Sequence, residues 1–173
     1  HNGMVGSSCV RELVKQGYKN LIFENSNDLD LTNQNSVFNY LEKNRPDIII
    51  NAAAKVGGIL ENNNYPYEFL MENMLIQNNL INSAFKLNIK KFIFLGSSCI
   101  YPKFSKQPIT EDYLLTGELE PTNEWYAIAK ISGVKLIQSL RKQYNKQYVS
   151  LMPTNLYGPV SYTHLTLPTS YPV

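Results

Sequence analysis

Four short apolar runs, Leu21-Ile-Phe23, Ile48-Ile-Ile50, Phe92-Ile-Phe-Leu95 and Tyr148-Val-Ser-Leu-Met152, alternate with segments whose apolar residues recur at helical spacing. Short runs of this kind suit strands buried on both faces, and a helix between successive runs supplies the crossover that parallel pairing requires. The order therefore predicts an α/β fold, with right-handed crossovers building a parallel sheet and helices on both of its faces. The periods predict helices over 4–16, 34–44, 66–88 and 123–144, and strands over 19–23, 47–51, 91–95 and 148–152. Gly17 stops the first helix, Pro46 follows the second and Pro66 opens the third. Residues 105–121 are polar and proline-bounded and predict a loop. No strand precedes His1, so the pattern is that of a Rossmann-type doubly wound sheet without its first strand.

A chain of 173 residues with 43% hydrophobic content holds one core. Its net charge of +2 gives no field that would draw nucleic acid or an anionic membrane. Asn51, Lys55 and Glu61 interrupt the best apolar stretch well short of the roughly 20 residues a bilayer span needs. Cys9 and Cys99 are too few for a disulfide framework, and a cytoplasmic protein is expected. The segment from Val160 to Val173 breaks with the rest: it has no charge and no helical period. Read back into codons, residues 160–169 resemble a transposon sequencing adapter. The native domain is thus expected over 1–159, and His164 is set aside as part of a foreign tail.

Ligands of open parallel sheets sit at the carboxyl ends of the strands. Polar clusters fall there, at Asn51-Ala-Ala-Ala54, Gly96-Ser-Ser-Cys99 and Pro153-Thr-Asn155. The opening His1-Asn2-Gly3-Met4-Val5-Gly6 places two glycines ahead of a helix. Gly3 would let backbone approach a pyrophosphate, Gly6 would let the helix pack closely, and the helix N-terminus offers unpaired N–H groups. An ordinary turn shows the same pattern. Glu24 closes the 19–23 run where an acidic side chain hydrogen-bonds a ribose 2′-hydroxyl, as in NAD sites. No Lys or Arg lies in Glu24–Asp28 to hold a 2′-phosphate, so these residues leave NAD and NADP both open. Tyr126-Ala-Ile-Ala-Lys130 puts a phenol and an ammonium on one helical face. A free tyrosine titrates near 10, and a neighbouring cation is expected to lower that value. Ser97, one βα unit upstream, is placed to hydrogen-bond a substrate carbonyl. No metal site is expected.

The strings Ala52-Ala-Ala-Lys-Val-Gly-Gly-Ile59, Asn63-Asn-Tyr-Pro66, Leu95-Gly-Ser-Ser-Cys-Ile-Tyr-Pro-Lys103, Leu119-Glu-Pro-Thr-Asn-Glu124, Tyr126-Ala-Ile-Ala-Lys130 and Met152-Pro-Thr-Asn-Leu-Tyr-Gly-Pro159 add a resemblance. With them, residues 1–159 resemble the extended short-chain dehydrogenase/reductase family. The similar branch is that of NADPH-dependent 3,5-epimerase/4-reductases acting on GDP-4-dehydro-6-deoxy-mannose. The resemblance implies that Ser97, Tyr126 and Lys130 form the reductase triad, with Tyr126 the proton donor to the C4 oxygen. It implies that Cys99 is the epimerisation base, which suits carbons acidified by a neighbouring keto group. It also implies dinucleotide contacts from His1, Asn2, Gly3, Met4, Val5 and Gly6, from Leu95, Gly96, Ser97, Ser98 and Lys130, and from Pro153, Thr154, Asn155 and Leu156.

The implied cofactor is NADP, with NAD less favoured, although Glu24-Asn-Ser-Asn27 stands where the family often carries basic residues. The implied partners are a GDP-sugar and a second copy of the chain, paired through 66–88 and 123–144. The family's acid histidine and its GDP-sugar-binding region follow Gly158 and are not in this sequence, so the chain as written is expected to be inactive. Two other readings are an NAD-dependent nucleotide-sugar 4-epimerase or dehydratase, and a non-catalytic dinucleotide-binding module. Ser98 and Cys99 stand where a dehydratase needs acidic residues, and a non-catalytic module typically loses the Tyr or Lys. Cys9 reads as a small core residue.

Overall fold

In the computed structural model, which describes residues 1–158, three strands form a parallel sheet in the order β1-β2-β3. These are β1 (Ile48–Asn51), β2 (Lys91–Leu95) and β3 (Gln147–Leu151). Their register sets Asn51 beside Phe94, and Phe92 beside Tyr148. Side chains alternate across a strand. Phe92, Phe94 and Tyr148 therefore share one fully buried face, while Ile48, Ile50, Val149 and Leu151 occupy the other and stay partly exposed.

The helices are α1 (Met4–Lys15), α2 (Gln34–Asn44), α3 (Ile59–Asn64), α4 (Pro66–Lys86) and α5 (Glu124–Tyr144). Helix α4 packs between α2 and α5, and the three cover the buried face of the sheet. Val37 and Leu41 of α2, Leu80, Ile81 and Ala84 of α4, and Val134 and Ile137 of α5 complete the core. Local chemistry sets the helix ends. The Asn33 side chain accepts from the Ser36 N–H at the start of α2, Pro66 opens α4, and left-handed Asn145 closes α5.

Parallel strands joined by crossover helices bear out the Rossmann-type expectation, and most element bounds fall within two residues of those the sequence predicts. Four features differ. Among the described residues helices cover one face of the sheet and not both, and Ile48, Ile50, Val149 and Leu151 stay partly exposed on the other. The 19–23 run joins no ladder, because among the described residues no strand lies beside it to take its backbone groups, and Ile22 and Phe23 are exposed. A short helix, α3, lies between β1 and α4 where the periods predict none, and the 105–121 loop includes a 3-10 turn at Glu111–Tyr113. The expected foreign tail, together with Pro159, lies outside the described residues.

The inner face of α4 is also more polar than its apolar stripe suggests. Asn73, Gln77 and Asn79 are buried on it, and each ties a neighbouring segment to the helix. The Asn79 amide donates to the carbonyls of both Leu31 and Thr32 at 2.9 Å. Asn79→Leu keeps the volume and strands both carbonyls. A loss of roughly 1–3 kcal/mol in urea unfolding is expected.

Candidate functional site

Strand β2 ends at Leu95, and the Gly96 N–H carries the register onward by donating to the Leu151 carbonyl at 2.8 Å. A Cβ on Gly96 would lie 2.6 Å from Met152 Sδ, so a larger residue would push the two loops apart. The Ser98 N–H donates to the Pro153 carbonyl at 3.2 Å, and Ser97 Oγ accepts from the Cys99 N–H at 3.4 Å. Segments 95–99 and 151–153 thus lie side by side at the carboxyl end of the sheet.

Lys130 of α5 reaches the same place. Its Nζ donates to the Leu95 carbonyl at 2.9 Å and lies 5.0 Å from the centroid of the Phe94 ring and 5.6 Å from that of Tyr126. It is only 4% exposed and pairs with no carboxylate among the described residues. Burial pulls its ammonium down from 10.5 to about 8, with Cys99 opposing the change. The Tyr126 phenol is pushed up to about 12 by burial, and Cys99 adds to the rise. Burial likewise raises the Cys99 thiol, while its hydrogen bond with Ser97 and the charge of Lys130 pull it back. Ser97, Cys99, Tyr126 and Lys130 therefore form one cluster in which Lys130 and Tyr126 each respond to Cys99.

Tyr126 rises where the sequence predicts a lowering by Lys130, because burial dominates. The phenol stays protonated through the neutral range, which is the state a proton donor needs.

At the other end of the chain, Gly3 caps α1 with ordinary extended backbone and no side-chain cap. A Cβ on Gly3 would meet nothing within 4 Å among the described residues, so the entry to α1 is uncrowded at that position. Gly6 is different, since its Cβ would fall 2.8 Å from His1 Cα. The His1 ring stacks on Phe23 at 4.4 Å, and Asn2 donates to Asn25 at 2.9 Å. These contacts hold the glycine turn against the 23–25 segment. No hydrogen bond joins that turn to the Lys130 cluster among the described residues, and Asn155 and Leu156 are exposed.

Two further groups sit at the sheet's carboxyl edge. Asn51 is buried, and its Oδ1 accepts from the Ala53 N–H at 3.1 Å, while its Nδ2 has no partner among the described residues. The carbonyl oxygen of the Asn123 side chain, just ahead of α5, is also buried and without a partner among the described residues. The loop after β1 is clamped by Asn73, which accepts from the Lys55 N–H at 2.9 Å and donates to its carbonyl at 3.0 Å. Lys55 itself is paired with Glu72 at 3.0 Å. Sequence reading passed over Asn73 and Gln77, because a polar residue inside an amphipathic stripe gives no periodic signal.

An open, uncapped helix N-terminus, an orphaned buried amide and a buried ammonium at the strand ends fit a dinucleotide. No group of His, Cys, Asp and Glu that would hold a metal ion occurs among the described residues.

The chain belongs to the NAD dependent epimerase/dehydratase family, which it matches over residues 1–169. Its relatives include GDP-L-fucose synthase 1 of Arabidopsis thaliana, 55% identical over 159 residues, with 92% of this chain and 49% of the relative covered. The GDP-L-fucose synthase of Escherichia coli K12 is 50% identical, with 92% of this chain and 50% of the relative covered. Among solved structures, a GDP-L-fucose synthetase from Naegleria fowleri bound to NADP superposes with a TM-score of 0.81 at 31% identity, covering 91% of this chain and 52% of that one. The chain spans about half the length of the curated relatives it matches.

Proposed function

We propose that the chain carries the cofactor-binding and proton-transfer half of an NADPH-dependent 3,5-epimerase/4-reductase that converts GDP-4-dehydro-6-deoxy-mannose into GDP-L-fucose. The observation that carries this reading is the cluster of Ser97, Cys99, Tyr126 and Lys130 at the carboxyl end of β2. The relatives' names and the NADP in the Naegleria structure support the substrate and the cofactor. Glu24, the residue that favours NAD, has its carboxylate engaged by the Tyr40 hydroxyl at 3.3 Å.

In this reading the first-turn N–H groups of α1 bind the pyrophosphate, with His1, Asn2, Met4 and Val5 lining the turn. Leu95–Ser98, Lys130 and Pro153–Leu156 hold the nicotinamide half. NADPH supplies the hydride for C4. Tyr126 gives its proton to the C4 oxygen, Ser97 hydrogen-bonds that oxygen, and Lys130 holds the ribose and supports the phenolate left behind. For epimerisation the Cys99 thiolate takes the proton from C3 or C5, which the C4 keto group has made acidic. An acid from the other half of the complete protein returns a proton on the opposite face. The complete enzyme is read as a cytoplasmic homodimer, paired through the sides of α4 and α5 where Met71, Leu75 and Trp125 are exposed. No helix among the described residues is long and apolar enough to cross a membrane.

NADPH titration of this chain, followed by fluorescence and thermal melting, tests the cofactor half. Saturable binding that raises the melting temperature is expected. Gly3→Val fits the backbone and the open space, so it should leave the free melting temperature unchanged and abolish binding. Equal binding by both proteins would sink the pyrophosphate assignment. Turnover belongs to the complete gene product, and NADPH-dependent turnover by this chain alone would overturn the division of labour.

A further inference from the structure

Phe94 is fully buried on β2, and its ring lies 5.0 Å from Lys130 Nζ. That place depends on Gly133, three residues after Lys130 on α5. A Cβ on Gly133 would run into the Phe94 ring and come within 2.9 Å of Gln77 Oε1. Gln77 of α4 donates to the Ala129 carbonyl at 2.7 Å and to the Ser132 hydroxyl at 2.8 Å, which fastens the turn of α5 that carries Lys130. An ammonium has three N–H groups to place, and among the described residues Lys130 makes one hydrogen bond, to Leu95. The face of an aromatic ring is the remaining favourable neighbour for a desolvated cation. The groups facing that cation are Phe94 and Leu95 of β2, titratable Cys99 in the turn beyond it, and titratable Tyr126 on α5.

Resting on the role given to Lys130 above, we propose that Phe94, seated on Gly133, is a positioning residue that fixes the Lys130 ammonium and favours its charged form. It acts through Lys130 and needs no contact with cofactor or substrate. A larger residue at 133 removes the seat, and an aliphatic residue at 94 keeps the burial but removes the ring face.

The test is an NMR titration of lysine side chains in this chain without cofactor, which reads the protonation of Lys130 directly. Phe94→Leu is expected to lower the Lys130 midpoint by about 0.5–1 pH unit, roughly 3–10-fold in its proton affinity. Gly133→Ala should move it in the same direction. A Phe94 ring fluorinated at its ortho positions keeps shape and fold while weakening the face charge, and a smaller downward shift is expected. An unchanged midpoint in a folded Phe94→Leu protein, or in the fluorinated one if Leu does not fold, overturns the proposal. NADPH binding is measured separately. Loss of binding with the shift intact counts against the cofactor reading alone, and binding with no shift counts against Phe94 alone.

Discussion

Cys99→Ser in the complete enzyme is expected to bind NADPH normally and to lose solvent-deuterium exchange at C3 and C5 by about 10²–10⁴-fold, the usual weight of a general base. The backbone contact of residue 99 is made by its N–H to Ser97 Oγ, and serine preserves it. What changes is the acidity of the side chain, because a serine hydroxyl gives no usable anion where a thiol still can. Burial already raises the Cys99 thiol, so the thiolate is a minor form at neutral pH and exchange by the natural enzyme should climb as pH rises. Exchange at the natural rate in the serine protein, measured by mass spectrometry of recovered substrate, would remove Cys99 from the mechanism.

Lys130→Met is expected to make the protein more stable at pH 7 while abolishing reduction. Lys130 falls from 10.5 to about 8 because its ammonium is desolvated, so between these values the unfolded chain holds more protons than the folded one. Stability of the natural chain must therefore rise with pH across that window, by up to about 3 kcal/mol from this group. Cys99, raised from 9.0, and Tyr126 and Tyr148, both pushed up to about 12, act in the opposite sense from about pH 9 upward, where the unfolded thiol and phenols lose protons first. A maximum between about pH 8 and 10 is thus predicted for urea-unfolding free energy. The methionine protein should keep only the alkaline fall. An equal rise below pH 10 in both proteins would show that Lys130 is not the group responsible.

Much of this was legible in the residues because the signals were local. Leu95-Gly-Ser-Ser98 follows a strand end and Tyr126 and Lys130 share one face of the first two turns of α5, and the structure brings Lys130 onto the Leu95 carbonyl. What escaped was either relational or polar. The 19–23 run has strand composition, but a strand exists only with a partner, and composition carries no information about neighbours. Helix α3, Ile59–Asn64, is too short and too polar for a period, and Asn62 secures it by donating to the carbonyls of Gly57 and Gly58 at 3.1 Å. The value reached by Tyr126 was misjudged for a third reason. Spacing shows that a cation is near, whereas the depth of burial that outweighs it emerges only from packing.

The pairing of the sheet also sets when this chain can fold. Ile48 lies beside Lys91, and Lys91 beside Gln147, so β1 and β2 each wait for a partner more than forty positions further along. Helices α2 and α4 are complete long before β3 has been made, and their apolar sides have no finished sheet to cover. Pairing strands over such separations is slow compared with forming a helix. On a ribosome adding about 5–20 residues per second, the nascent chain carries that uncovered surface for several seconds. The interval in which chaperones matter most is therefore set by the distance from β1 to β3 along the chain.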